Sequence, residues 1–147
     1  MKLKAYKYRL KLTDKQSSKI RQFAGCCRFI YNKMLGIEKE NYKNSNKLIG
    51  YNQATKLLVQ WKKDSDTSFL KEVHSQILQQ KIDDLYKAYK NYFSKRAELP
   101  RFKKRQINDS FRYPQGFEID EKNKRISSRQ KDKTASLRFA CKMAGKK

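Results

Sequence analysis

The chain has 147 residues, with 37 Lys+Arg against 14 Asp+Glu, a formal net charge of +23, 37% apolar and 12% aromatic residues. That suffices for one domain, or one lobe of a larger machine, with a thin core beneath a cationic surface. No apolar run approaches the roughly 18–20 residues of a membrane span. Met1–Leu12 alternates charged and apolar residues and is not a secretory leader. Cys26, Cys27 and Cys141 form no C-x-x-C pair, and His74 is the only histidine, which argues against a zinc ribbon and a disulfide framework. A reduced cytoplasmic setting is expected.

So large an excess of positive charge calls for a polyanion, and its distribution favours nucleic acid over lipid. Residues 1–33 hold ten Lys/Arg and one acid, residues 34–94 ten and seven, and residues 95–147 seventeen and six. A membrane-surface binder would instead concentrate its charge on one basic amphipathic helix. Two basic flanks around a nearly balanced middle suit a phosphate backbone.

In chain order, Tyr6, Tyr8, Leu10 and Leu12 alternate with Lys7, Arg9 and Lys11, the period of a strand with one apolar and one cationic face. Thr13-Asp14-Lys15-Gln16 reads as a capping box. The helix after it carries an apolar stripe at Ile20, Phe23, Ala24, Cys27, Ile30, Tyr31 and Met34, and Gly25 within it suggests a helix–turn–helix-like break. Lys43–Gly50 reads as a loop. A helix from about Asn52 buries Ala54, Leu57, Leu58 and Trp61, and residues 64–68 form a turn. The longest stripe runs through Leu78, Ile82, Leu85, Tyr89 and Tyr92, extended upstream by Leu70, Val73 and Ile77, with His74-Ser75 as a candidate break. Leu99–Arg105 is a basic loop stopped by Pro100. Ser110–Tyr113 is a candidate strand, and Phe117–Asp120, residues 121–124 and Arg125-Ile126 read as strand, turn and strand. The order strand, helices, strands implies an incomplete sheet fed from both ends of the chain, with a helical insert.

The chemistry-bearing patterns favour binding over catalysis. No phosphate-cradling glycine motif is present. His74 reads as an exposed or cap-region residue, Asp83-Asp84 as partners of Lys81 and Lys87 in helical ion pairs, and Cys27 as a core residue. No catalytic residue, metal site or cofactor is therefore expected. The cations of the first strand, Lys7, Arg9 and Lys11, and those interleaved with Phe102, namely Arg101, Lys103, Lys104 and Arg105, suit a sugar–phosphate backbone.

Four segments in order, Tyr8–Thr13, Gly25–Asn32, Ala88–Phe93 and Pro100–Arg105, resemble the N-terminal part of the OrfB/TnpB family of insertion-sequence proteins, with the likeness running over residues 1–126. The family was long labelled as transposases with an N-terminal helix-turn-helix. Its full-length members are RNA-guided DNA endonucleases related to type V CRISPR effectors. The resemblance implies a mostly α chain with a small β part: a helical recognition lobe, residues 13–95, inserted in a split, incomplete wedge-type β-barrel built from residues 1–12 and 96–126. It also implies guide RNA and target DNA as partners. Tyr51, in Gly50–Gln53, matches a position that helps read the motif beside the target, and Gln79 matches a second on the long helix. Ser75 falls where some relatives carry Lys, and Gln115 lies where the wedge returns to the DNA. Tyr51 can also be read as a staple to the helix that follows it.

The family's wedge continues after Arg125-Ile126, followed by a nuclease domain with an acidic triad and a zinc ribbon, and residues 127–147 resemble none of it. The expectation is a divergent basic tail, disordered, after a frameshift or truncation near residue 126. The chain then binds nucleic acid near the prokaryotic nucleoid without cutting it. The alternatives are a nuclease completed in trans by a separate downstream polypeptide, and a small basic RNA-binding structural protein of a ribonucleoprotein or ribosome.

Overall fold

A computed structural model describes residues 9–107, 109–123, 125–128 and 142–143. Among these residues the chain is mainly helical with small antiparallel ladders, as the periodicity and the family resemblance implied. The elements are β1 (Leu10–Lys11), α1 (Asp14–Ser45), α2 (Tyr51–Lys63), a 3₁₀ segment (Ser65–Glu72), α3 (Ser75–Phe93), β2 (Phe117–Asp120), β3 (Arg125–Ser128) and β4 (Lys142–Met143). They fall into two compact units, one of residues 1–20 with 115–147 and one of residues 21–114.

In the first unit, β1 pairs antiparallel with β4, Leu10 opposite Met143 and Lys11 opposite Lys142. Strands from opposite ends of the chain therefore meet. β2 pairs with β3 in the hairpin read from the sequence, Ile119 opposite Ile126. Asp120 accepts from the backbone N–H and the side-chain amide of Asn123, at 3.0 and 2.7 Å. Those two bonds hold the Asp120 carboxyl below its usual range and fasten the turn. The start of α1 has the expected capping box: Thr13 N–H donates to Gln16 Oε1 (3.0 Å) and Gln16 N–H to Thr13 Oγ1 (3.4 Å).

The second unit holds the core. Phe23, Cys27, Ile30, Met34 and Leu35 of α1, Ala54, Leu58 and Trp61 of α2, Leu70 and Val73, and Ile77, Leu78, Ile82, Leu85 and Tyr89 of α3 are all buried. The α3 stripe is the one the sequence displays, except that Tyr92 is exposed; on α2, Leu57 is only half-buried. The expected break at His74-Ser75 is an N-cap, with His74 Nδ1 accepting from Gln76 N–H at 3.3 Å. At its other end α3 closes in a Schellman motif. Lys95 adopts φ 56°, Arg96 N–H reaches Asn91 O and Lys95 N–H reaches Tyr92 O, each at 2.9 Å.

Two expectations are corrected. No turn interrupts the chain at Gly25, because α1 runs unbroken from Asp14 to Ser45. The glycine penalty of about 1 kcal/mol is small beside the burial of Phe23, Ala24, Cys26 and Cys27 on either side of it. The chain turns only after Ser45, where Asn46 takes φ 53° and its N–H caps Tyr42 O at 2.9 Å. Nor is Ser110–Tyr113 a strand. Its side chains go separately to the helices: Phe111 packs edge-on to Phe23, Arg112 reaches Gln80 and Asp84, and Tyr113 stacks on His74. Extended backbone spent this way has no neighbouring strand to pair with.

Candidate nucleic-acid interface

Residues 100–107 and 109–114 lie against the helices as a strap. Pro100 is buried, and the Asn32 side chain grips the main chain of Lys103, donating to its carbonyl at 2.9 Å and accepting from its N–H at 2.8 Å. One amide thus satisfies both backbone groups, as a paired strand would. Lys39 Nζ stands 4.6 Å from the Phe102 ring centre and Lys103 Nζ 4.5 Å from that of Tyr31. Further along, Arg28 donates to Asp109 at 2.7 Å. That bond, with the Gln106 N–H, keeps the Asp109 carboxyl below its usual range.

The fastened main chain presents cations at the surface. Lys104 and Arg105 are exposed, Lys103 is half-buried, and Arg101 is exposed with Glu98 as its partner. In the first unit, Arg9, Lys11 and Gln115 are exposed, while Lys7 lies outside the described residues. The β1–β4 register sets Lys11 opposite Lys142, a like-charge pairing that costs stability unless an anion relieves it.

Tyr51 is the first residue of α2 and is 40% exposed. It is not free to wander, because its ring meets Tyr86 edge-on at 6.2 Å. Beneath Tyr86 is Glu38, a carboxylate with no exposed surface. Its Oε1 accepts from the Tyr86 hydroxyl and its Oε2 from Ile49 N–H, the latter at 2.9 Å. Burial, then the bond to Glu38, drives the Tyr86 hydroxyl pKa upward. Glu38 therefore ties α1, the loop before α2 and α3 together under Tyr51. Gly50, at φ 95°, lets the chain turn into α2 at that point. Gln79, half-buried on α3, precedes Tyr86 by seven residues, two helical turns and about 10 Å along the axis on the same face. Tyr51 and Gln79 thus share one side of the helical unit.

Sequence reading missed Glu38, Tyr86, Asn32 and Arg28 as structural supports. Asn32 and Arg28 lie inside the Gly25–Asn32 segment already singled out, so a signal existed for them. Glu38 had none, since its partner Tyr86 is 48 residues away.

The remaining reactive groups are inert or spoken for. Cys26 and Cys27 lie buried in the core outside any disulfide, and burial pushes the Cys27 thiol up to about 12. Asp83 pairs with Lys87 at 2.6 Å and Asp84 with Lys81 at 3.3 Å, as helical spacing implied. Among the described residues no cluster of three or more His, Cys, Asp or Glu is placed to hold a metal ion. No described helix is long and apolar enough to cross a membrane.

Comparison with known proteins adds two findings. A family profile for OrfB proteins of the IS605 type, described as a helix-turn-helix domain, matches residues 1–47. InsQ of Escherichia coli (strain K12), named as a proposed RNA-guided DNA endonuclease, is 48% identical over 125 residues, 85% of this chain and 31% of InsQ. A protein of Streptomyces pristinaespiralis with the same type of name is 37% identical over 103 residues, 70% of this chain and 26% of that one. The chain spans between a quarter and a third of the length of these relatives. The profile and the two relatives together place the chain with the N-terminal part of the OrfB family of insertion-sequence proteins, residues 1–47 being the stretch that the family's helix-turn-helix profile matches and that α1 here crosses as one continuous helix.

Proposed function

We propose that the chain binds nucleic acid through its basic strap and first strand, and reads a short DNA motif through Tyr51 and Gln79, without cutting either strand. The observation that carries this reading is the strap: Asn32 fixes its main chain, while Arg101, Lys104 and Arg105 stay exposed. Cations on a fixed backbone track phosphates with little ordering cost. Tyr51 offers a ring to a sugar or base, and Gln79 an amide able to make paired hydrogen bonds to adenine. Guide RNA is the second partner that membership of the family suggests, with a split wedge built from both ends of the chain supplying part of its site. Gln115, Arg9, Lys7 and Lys11 contribute from the strand unit.

Fluorescence anisotropy with duplex DNA and single-stranded RNA, titrated with salt, tests the reading. Affinity should fall steeply with salt on both. Neutralising Lys104 and Arg105 together should weaken binding on every sequence and flatten the salt slope by about one to two units. Binding that is weak and indifferent to salt would defeat the reading, and Mg²⁺-dependent strand cleavage by the purified chain would defeat its non-cutting part.

A further inference from the structure

Gly25, Arg28, Phe29, Asn32 and Lys33 recur at helical spacing along one side of α1, beside the stripe that enters the core. All five are half-buried, and together they line an open groove of about 500 Å³. The groove is polar at one wall and aromatic at the other. Arg28 holds Asp109 through Nη1, while its Nη2 lies 3.8 Å from where a Cβ on Gly25 would stand. Lys33 is poised over two rings, 4.6 Å from the centre of Trp61 and 5.5 Å from that of Phe29. No carboxylate of the described residues pairs with it. Asn32 spends both ends of its amide on Lys103 and so fastens the cationic strap at the groove's rim.

Gly25 is the unexplained member. Glycine is the least favoured residue after proline inside a helix, yet α1 passes straight through this position. Its φ is not in the left-handed region, and no other segment packs close enough to exclude a side chain, since an added Cβ would meet only the Arg28 guanidinium. Nothing within the described fold requires a bare backbone there. What a side chain at residue 25 would occupy is the groove itself.

We propose that this groove is a subsite for one nucleotide of a single-stranded segment, its phosphate accepting from Arg28 Nη2 and Lys33 Nζ, its sugar or base lying on Phe29, and Gly25 kept bare to let the strand approach the helix. The chemistry is common to RNA and DNA. A single strand fits because the opening lies along one half-buried face of α1, whose Arg28 and Asn32 also hold the strap, and an unpaired base exposes the ring face that Phe29 accepts. The inference rests on the nucleic-acid reading above and adds to it a site on α1 separate from Tyr51 and Gln79.

The test uses the full chain and two oligonucleotides of one sequence, single-stranded RNA and single-stranded DNA, with anisotropy and thermal unfolding measured on the same samples. Gly25→Leu places a strong helix former in the groove. Its melting temperature should equal or exceed that of the wild type, while its affinity for at least one of the two strands falls about fivefold or more. Arg28→Gln with Lys33→Gln should cost about tenfold and flatten the salt slope by about 0.7 for each phosphate no longer neutralised. A deficit larger on RNA than on DNA would make RNA the occupant, and equal deficits would mean that the subsite accepts either strand. Unchanged binding by Gly25→Leu, or weakened binding that tracks a lowered melting temperature, overturns the proposal. If the wild type binds neither strand, the nucleic-acid reading falls with it; if the wild type binds and Gly25→Leu binds equally well, only the subsite falls.

Discussion

The helical unit, residues 21–114, contains every apolar side chain that is buried among the residues whose burial is described, from Phe23 to Pro100. Where the strands' burial is described they bury none: β1 and β2 are exposed along their length, and Ile126 of β3 is only half-buried. Yet the two regions carry similar kinds of exposed cation. The difference teaches where the protein's rigidity comes from. Two-stranded ladders are marginal on their own in water, whereas three helices closing on one stripe carry a core that can hold side chains in place. Tyr51, Gln79 and the strap are mounted on that core, so their geometry should follow the stability of the helices.

The largest expected effect tests that division directly. Leu85→Ala, at a position with no exposed surface, should cost about 2–5 kcal/mol. Ile119→Ala in β2, 52% exposed, should stay within about 0.5 kcal/mol. Urea unfolding of the two variants decides; equal losses would mean that the strands share the core's burden.

Next comes the tie beneath Tyr51. Glu38→Ala strands the Tyr86 hydroxyl and the Ile49 N–H, and should cost about 2–4 kcal/mol. Glu38→Gln can still accept from Ile49 and donate to Tyr86, and should recover most of that in the same unfolding experiment.

Much of this contrast was readable in the sequence. The stripe Leu78, Ile82, Leu85, Tyr89 repeats in steps of four and three, and His74 stands where a cap belongs, so α3 and its start were evident. The Thr13/Gln16 box marked the start of α1 in the same way. Gly25 misled because a local preference of about 1 kcal/mol was weighed without the tertiary contacts that outbid it. Ser110–Tyr113 misled because extended backbone looks the same whether it pairs with a strand or sends its side chains to helices. At the site, the cations and Tyr51 were visible as residue types. The bonds that fix them were not: Asn32 to Lys103 and Glu38 to Tyr86 span 71 and 48 residues, and no local pattern announces a contact at that distance.

A smaller effect concerns pH. The Cys27 thiol rises from 9.0 to about 12 on folding because burial penalises its thiolate. Burial also raises Tyr31, Tyr86 and Tyr89. Each group keeps its proton in the folded state at pH values where the unfolded chain has begun to lose it. The folded state then binds more protons, so stability should be flat up to about pH 9 and fall above it. The slope should reach at most about 1.4 kcal/mol per pH unit for each group. Cys27→Ala should remove its own share, read as a shallower loss between about pH 9 and 11. In the native state at about pH 8, Cys27 should resist alkylation until urea unfolds the helices.

The central claim is that nucleic acid is read by side chains on the helical unit, and selection from a pool of random duplexes tests it most directly. Wild-type chain should enrich a short common motif, and Tyr51→Ala and Gln79→Ala should each blur it while leaving total binding and salt slope nearly unchanged. Enrichment that survives both substitutions, or a wild-type pool with no motif at all, would contradict the account.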